Sequence, residues 1–190
     1  MHEKVEGVTL LAKSFGENNK IISVFTKEKG LISLMIKRLS QKKSSLFALA
    51  SPFCVGEFVY KVGKGDIYTI LDAAILKENF ELRSSFETIE CAAKMTRAIL
   101  NSQMPHKSAP AVYMLLKAYL GNLWQFERPQ TLLASFYLKI LLHEGLLDPQ
   151  IIDETMNELA FARSFSKLKE LSINKEQEKI TADLFCQLIG

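Results

Sequence analysis

Short apolar runs separated by glycine, serine and charged residues fill the first 76 positions of the chain. In one run, Ile32, Leu34 and Ile36 alternate with Ser33, Met35 and Lys37, and this period of two directs one set of side chains to a core and the other outward. Five such runs predict five β-strands: Val5–Ala12, Lys20–Thr26, Leu31–Arg38, Val55–Val62 and Ile67–Leu76.

The turns between these runs indicate how the strands connect. Gly30 can adopt the positive φ that closes a hairpin between the second and third strands. The segment Gly63–Asp66 has the composition of a second hairpin, and Leu39–Phe53 forms one longer connection. Five strands with a long link between the third and fourth predict a five-stranded Greek-key OB barrel. An SH3-like barrel has a similar strand count and is the alternative.

Beyond Phe80 the apolar residues recur every three or four positions, as in amphipathic helices. Three stripes are clear: Phe86, Ile89, Ala93, Thr96 and Leu100; Val112, Leu115, Leu116, Tyr119 and Leu123; Leu132, Leu133, Phe136, Tyr137 and Ile140.

Local signals mark where these helices begin and end. The first turn of a helix is predicted at Pro110, at Pro129 and at Pro149, because proline is favoured there. A helix end is predicted at Gly145, and a capping box is predicted at Asn174 and Gln177. Asp148 is placed to cap the helix that Pro149 opens. We therefore expect an α+β protein with an OB domain at 1–80 and an all-α bundle of four to six helices at 81–190.

Composition narrows the class of protein. The 190 residues are 48% hydrophobic and 24% charged, which suits a folded globular chain. The first residues have no apolar core or small-residue cleavage site, so we expect a cytoplasmic protein. Cys54, Cys91 and Cys186 are odd in number and far apart, which predicts buried thiols in a reducing compartment.

Motifs for enzymatic chemistry are missing from the sequence. Gly63-Lys64-Gly65 lies between two predicted strands, so it favours a hairpin over a phosphate-binding loop. The histidines and cysteines have no metal-ligand spacing. We expect a non-enzymatic protein without a cofactor and without zinc.

The basic residues concentrate in the predicted barrel. Residues 1–80 hold 12 Lys and Arg against 8 Asp and Glu, and the segment 37–45 holds four cations and no acid. Lysine and arginine neutralise phosphates, and Phe15, Tyr60 and Tyr68 could stack on unpaired bases. The candidate nucleic-acid-binding residues are Lys37, Arg38, Lys42, Lys43, Lys20, Lys61 and Lys64. A lysine-rich loop that is merely solvated is the alternative interpretation of the segment.

An ordered series of motifs resembles the RecO family of bacterial recombination mediators. In the first half the matching residues are Gly7, Leu10, Phe15–Asn18, Phe25–Thr26, Gly30–Ser33, Lys37–Arg38, Pro52–Phe53, Gly56–Glu57 and Tyr68–Thr69. In the second half the run from Phe136 to Leu147 is similar in pattern.

The resemblance implies a function as well as a fold. It implies an OB domain followed by a helical domain, and binding and annealing of single- and double-stranded DNA. It also implies action with RecR on DNA covered by single-stranded-DNA-binding protein, so that RecA can load, in the bacterial cytoplasm near the nucleoid. A protein–protein adaptor and an RNA-binding OB protein are the alternative functions.

The sequence departs from this family at one place. Many members carry a four-cysteine zinc module after the helix that corresponds to Leu132–Leu147. Here Asp148-Pro149-Gln150-Ile151 leads into another helical pattern, and the next cysteine is Cys186. The comparison therefore implies that the zinc module is deleted or replaced.

Overall fold

The computed structural model describes residues 1–37 and 44–189. The described chain forms two compact units, one of residues 1–37, 44–79 and 103–117 and one of residues 80–102 and 118–189.

Five strands form a closed barrel in the first unit. They are β1 (His2–Phe15), β2 (Asn19–Thr26), β3 (Gly30–Ile36), β4 (Val55–Lys61) and β5 (Ile67–Lys77). Their order around the barrel is β1-β2-β3-β5-β4, with antiparallel pairs except for the parallel pair β3–β5. The predicted OB architecture is confirmed.

Strand β1 is longer than the predicted run because it closes the barrel. Its first half pairs with β4 and its second half with β2, and the register shifts between Thr9 and Leu11. A bulge at such a point lets one strand bend and serve two neighbours. The predicted hairpin glycine is confirmed, since Gly30 has φ of +65°.

The barrel interior is filled by the alternate residues that the period of two predicted. Ile32, Leu34 and Ile36 are buried there with Phe58 and Tyr60. Helix α1 (Ser44–Leu49) contributes the buried Leu49, whose carbonyl oxygen accepts a hydrogen bond of 2.8 Å from Thr9 Oγ1.

A segment from the second half of the sequence also belongs to the barrel unit. We call Gln103–Lys117 the cap segment. Pro105 forms a parallel bridge with Leu31, the His106 amide donates to the Leu31 carbonyl at 3.0 Å, and Ser108 Oγ donates to the Lys27 carbonyl at 3.2 Å. The cap segment therefore continues the sheet beside the start of β3.

Six further helices follow the barrel in the part of the chain that the structure describes, in agreement with the predicted all-α part. They are α2 (Phe86–Ser102), α3 (Pro110–Asn122), α4 (Pro129–His143), α5 (Glu154–Phe161), α6 (Phe165–Glu170) and α7 (Lys175–Ile189). In the second unit α4 packs against α2, α5 and α7. The central helix α4 is buried along most of its length.

The helix boundary signals are confirmed. Pro110 and Pro129 open α3 and α4, and Gly145 follows α4 with φ of +71°. The Asn174 amide donates to Gln177 Oε1 at 3.0 Å, and the Gln177 amide donates to Asn174 Oδ1 at 2.9 Å. Asp148 Oδ1 likewise accepts from the Gln150 amide at 2.9 Å, at the start of a short 3-10 turn.

Two side-chain expectations in the helical half are wrong. Phe86 is 74% exposed, whereas Met95 and Ile99 form the buried side of α2. Helix α2 has apolar residues on more than one side, so its period alone does not select the buried side. Cys186 is exposed, while Cys54 and Cys91 are buried as expected.

Candidate nucleic-acid interface

Four of the seven predicted DNA-binding residues belong to the described chain. Lys20 lies at the start of β2, Lys37 directly after β3, Lys61 at the end of β4 and Lys64 in the β4–β5 turn. Lys37, Lys61 and Lys64 are exposed, and Lys20 is half-buried. The other three lie outside the described residues: Arg38, Lys42 and Lys43.

Strand pairing joins Lys61 to a further lysine, Lys13, which is not among the predicted DNA-binding residues. Starting from β1, Lys13 pairs with Ile21, Ile21 with Met35, Met35 with Thr69, and Thr69 with Lys61. These five residues form one row across all five strands, which we call the lysine row. Four strand spacings of about 4.8 Å separate its two lysines by roughly 19 Å along the curved surface.

The lysine row lies on the outer surface of the barrel. Successive side chains of a strand point to opposite faces, and the sequence neighbours Ile22, Leu34 and Tyr60 lie in the barrel core. Lys13 and Lys61 are exposed. The surface between them therefore has a partly apolar floor with a cation at each end.

A second row of small polar residues lies next to the lysine row. Ser23 and Ser33 pair directly, and Ser33 pairs with Ile67 at the start of β5. Both serines are half-buried. Hydroxyl groups at these positions can donate to phosphate oxygens without reading base sequence.

The cap segment ends this outer face near the β2–β3 turn. The Tyr113 ring lies 6.1 Å from the Phe25 ring, centroid to centroid. The Tyr113 hydroxyl and the Lys117 ammonium both donate to Glu6 Oε1 at 2.6 Å. These contacts cover the far end of the β2–β3 pair and leave the lysine row accessible.

Lys20 occupies a different position from the lysine row. It pairs with Ile36, which is buried in the barrel, so Lys20 lies on the inward-facing side of β2 at the rim. Lys37 follows Ile36 and is exposed on the outward side. The structure therefore joins Lys37 and Lys61 to the outer face, and it separates Lys20 from them.

Acidic residues of β1 and β4 form ion pairs with nearby lysines. Lys29 pairs with Glu3 at 3.1 Å, and Lys4 pairs with Glu57 at 3.0 Å. Hydrogen bonds from Tyr60 and then Lys29 lower the pKa of Glu3. Among the described residues, no salt bridge involves Lys13 or Lys61, so these two cations are available to an anionic ligand.

Glu6 forms an ion pair with Lys117 of the cap segment. The hydrogen bond from Lys117, followed by that from Tyr113, lowers the pKa of Glu6. Burial, together with the hydrogen bond to Glu6, raises the pKa of Tyr113, so its hydroxyl remains a donor at neutral pH.

Of the three aromatic residues suggested as stacking platforms, Tyr60 is excluded by its burial. Its side chain is 1% exposed, its hydroxyl donates to Glu3 Oε2 at 2.7 Å, and burial raises its pKa. Tyr68 is half-buried and stacks on Tyr60 with ring centroids 5.3 Å apart. Phe15 is 52% exposed, two residues beyond Lys13 on the same side of β1. Phe15 is therefore the exposed ring next to the lysine row.

The presence of Lys13 in the first strand could have been found from the sequence by extending that strand by one residue, but its outward direction could not, because the register shift between Thr9 and Leu11 reverses the alternation. The predicted strand stopped at Ala12, although Leu11 and Lys13 keep the same spacing. The pairing of Lys13 with the β2–β3 surface had no such signal, because register is a property of the assembled sheet.

The described residues contain neither a metal-binding cluster nor a membrane-spanning helix. No group of three or more His, Cys, Asp or Glu side chains in that part of the chain could hold a metal ion. No helix of the same residues has the length and apolar character needed to cross a membrane. The absence of zinc stays a prediction.

Comparison with known proteins supports the resemblance. Residues 1–79 match the family described as Recombination protein O N terminal. A DNA repair protein RecO from Acetivibrio thermocellus is 28% identical over 146 residues, which cover 75% of this chain and 57% of that protein. The RecO proteins of Chlamydia pneumoniae and Clostridium acetobutylicum are 25% and 27% identical, over 76% and 75% of this chain and 57% and 58% of their own length. The chain thus spans little more than half the length of these curated relatives, and the predicted family resemblance is confirmed.

Proposed function

Because residues 1–79 belong to the RecO N-terminal family, we propose that this chain is a DNA-repair mediator that binds single-stranded DNA on the outer face of its barrel. The observation that carries the proposal is the lysine row. Ile21 and Met35 form a half-buried, partly apolar floor on β2 and β3, the strands that OB folds use for oligonucleotides, and this floor lies between two exposed lysines on β1 and β4.

The chemistry of this face suits a single strand held mainly through its backbone. Lys13 and Lys61 bind phosphates, Ser23 and Ser33 donate hydrogen bonds, and Ile21 and Met35 contact sugars or bases. None of these groups reads a base edge, so binding is independent of sequence. Lys37 and the basic residues after it extend the positive charge beyond β3.

The proposal includes binding of double-stranded DNA and annealing of complementary strands. Annealing is driven by base pairing, and the protein lowers the repulsion between phosphates, so it needs neither ATP nor a catalytic residue. With RecR, the protein acts on DNA covered by single-stranded-DNA-binding protein and so assists RecA loading. These partners are proposed from the family resemblance.

Binding measured against salt tests the proposal. A fluorescent single strand is titrated with the wild-type chain, the variant K13A/K61A and the control K175A/K179A, which removes two exposed lysines of α7. Losing two phosphate contacts should reduce the slope of log affinity against log salt by about 1.4, at about 0.7 per phosphate. The control should keep the wild-type slope. Annealing should be weaker in K13A/K61A than in the wild type and unchanged in the control.

Three outcomes would contradict the proposal. Wild-type chain that binds no single strand at low salt would favour a protein–protein adaptor. Equal slopes for K13A/K61A and the control would move the site away from the lysine row. Preference for an RNA strand over a DNA strand of equal length would favour the RNA-binding alternative.

A further inference from the structure

An exposed histidine in the cap segment has an unusual main-chain conformation. Three non-glycine residues of the described chain have positive φ: Phe53, Asn79 and His106. Phe53 and Asn79 are buried, and Asn79 Nδ2 donates to the Phe53 carbonyl at 2.8 Å, so packing accounts for this pair. His106 has φ of +60° and is exposed. Strain of this kind at an exposed residue directs attention to a functional role.

The His106 ring is the outermost of three rings in contact. Tyr60 is buried in the barrel, Tyr68 stacks on it with centroids 5.3 Å apart, and the His106 ring meets Tyr68 edge-on at 5.9 Å. The inner two rings fix the position of the third. A ring supported in this way loses little conformational freedom when it binds a flat ligand.

His106 lies at the end of the barrel where β5 begins. It contacts Tyr68, whose side chain faces the barrel interior and is followed by the outward-facing Thr69 of the lysine row, and the exposed turn that carries Lys64 precedes β5. The hydrogen bond from the His106 amide to the Leu31 carbonyl holds the residue at the edge of β3. The β4–β5 turn is one of the two loops that bind oligonucleotides in OB folds.

We infer that the His106 side chain is a stacking platform for one unpaired base of a single strand whose backbone lies on the lysine row. This inference rests on the proposed function and adds a contact from outside residues 1–79. Unpaired bases stack on histidine as on other aromatic rings. A paired base inside a duplex is already stacked on both faces, so the contact is specific to single strands.

Two substitutions at His106 separate stacking from main-chain effects. H106G removes the ring and relieves the positive φ, so the free energy of unfolding should not fall. H106F keeps a flat ring. Each variant is titrated with a single strand of about 15 nucleotides, within the site sizes of single OB folds, and with a blunt duplex of the same length. K61A is measured beside them.

We expect H106G to bind the single strand at least about fivefold more weakly, which is the lower end for one base–aromatic stack. Its salt slope should equal that of the wild type, whereas K61A should reduce the slope by about 0.7. H106F should bind within about twofold of the wild type. Duplex affinity should be the same for the wild type and H106G.

Other results would overturn the inference. They are unchanged single-strand affinity in H106G, equal losses in H106G and H106F, or a reduced salt slope in H106G, which would indicate a phosphate contact. If H106G has no effect while K13A/K61A weakens binding, the proposed function stands without the stacking contact. If the wild type binds no single strand, both fail.

Discussion

Replacing Glu6 by glutamine tests how the cap segment is held on the barrel. The Glu6 carboxylate accepts hydrogen bonds of 2.6 Å from the buried Tyr113 hydroxyl and from the Lys117 ammonium. The glutamine amide keeps an acceptor oxygen but removes the charge. Each bond then loses its charge assistance, which is worth about 1 kcal/mol per bond before solvent screening.

Solvent screening reduces this loss, because the side chains of Glu6 and Lys117 are 33% and 37% exposed. We expect E6Q to lower the free energy of unfolding of the barrel unit by about 1–2 kcal/mol at pH 7. Urea unfolding measures the total loss of unfolding free energy. Hydrogen–deuterium exchange of the amides of residues 104–117 assigns that loss to the cap segment.

The pH dependence provides an independent check of the same interaction. Because the folded-state pKa of Glu6 is lowered from 4.5, its ionised form stabilises the fold above the unfolded-state pKa. This stabilisation is lost as the pH falls through the lowered folded-state pKa. The difference in unfolding free energy between wild type and E6Q should therefore reach its full value above about pH 5. It should vanish once Glu6 is protonated in the folded protein.

The control is E57Q, which breaks the pair between Lys4 and Glu57 on the neighbouring strand. Their side chains are 60% and 39% exposed, so we expect a change within about 0.5 kcal/mol. The reasoning would be refuted if E6Q matched this control at pH 7. It would also be refuted if the cost of E6Q persisted after Glu6 is protonated.

Further predictions concern other residues. A Cβ built at Gly30 would overlap the carbonyl oxygen of Lys107, and φ there is +65°, so G30A should cost about 2–4 kcal/mol of unfolding free energy in urea. G16A, with φ of +66° and open space around the Cβ, should cost only about 1 kcal/mol, and equal costs would contradict the close approach of Lys107. N174A removes one side of the capping box of α7 and should lower stability by about 1 kcal/mol, whereas no change in thermal unfolding would show that the box is not needed. Replacing the basic residues after β3 should lower the single-strand salt slope by roughly 3, at about 0.7 per phosphate, and an unchanged slope would indicate a solvated segment. That variant combines Lys37→Ala, Arg38→Ala, Lys42→Ala and Lys43→Ala.

The structure also shows where sequence patterns were sufficient. The capping box at Asn174 and the glycine turn at Gly30 were predicted correctly because their contacts lie within a few residues of sequence. The alternation of Ile32, Leu34 and Ile36 was also sufficient, since one face of β3 is buried and the other is not. The sequence pattern was not sufficient to identify the buried side of α2. Phe86 and Met95 are both apolar, and only the neighbouring helices determine which of them is buried.

The sequence by itself determined the strand runs, the turns, the helix boundaries and the basic character of the barrel, because each depends on local conformational preference or on composition. It contained Lys13 and Lys61 without indicating that they share the outer face of the barrel, and His106 without indicating that it lies beside β3. These placements depend on the parallel pairing of β3 with β5, on the closing strand β1, and on the return of the cap segment to Leu31. These contacts join residues far apart in the chain. They are selected by the burial of the whole barrel core and by strand register, which no local pattern encodes.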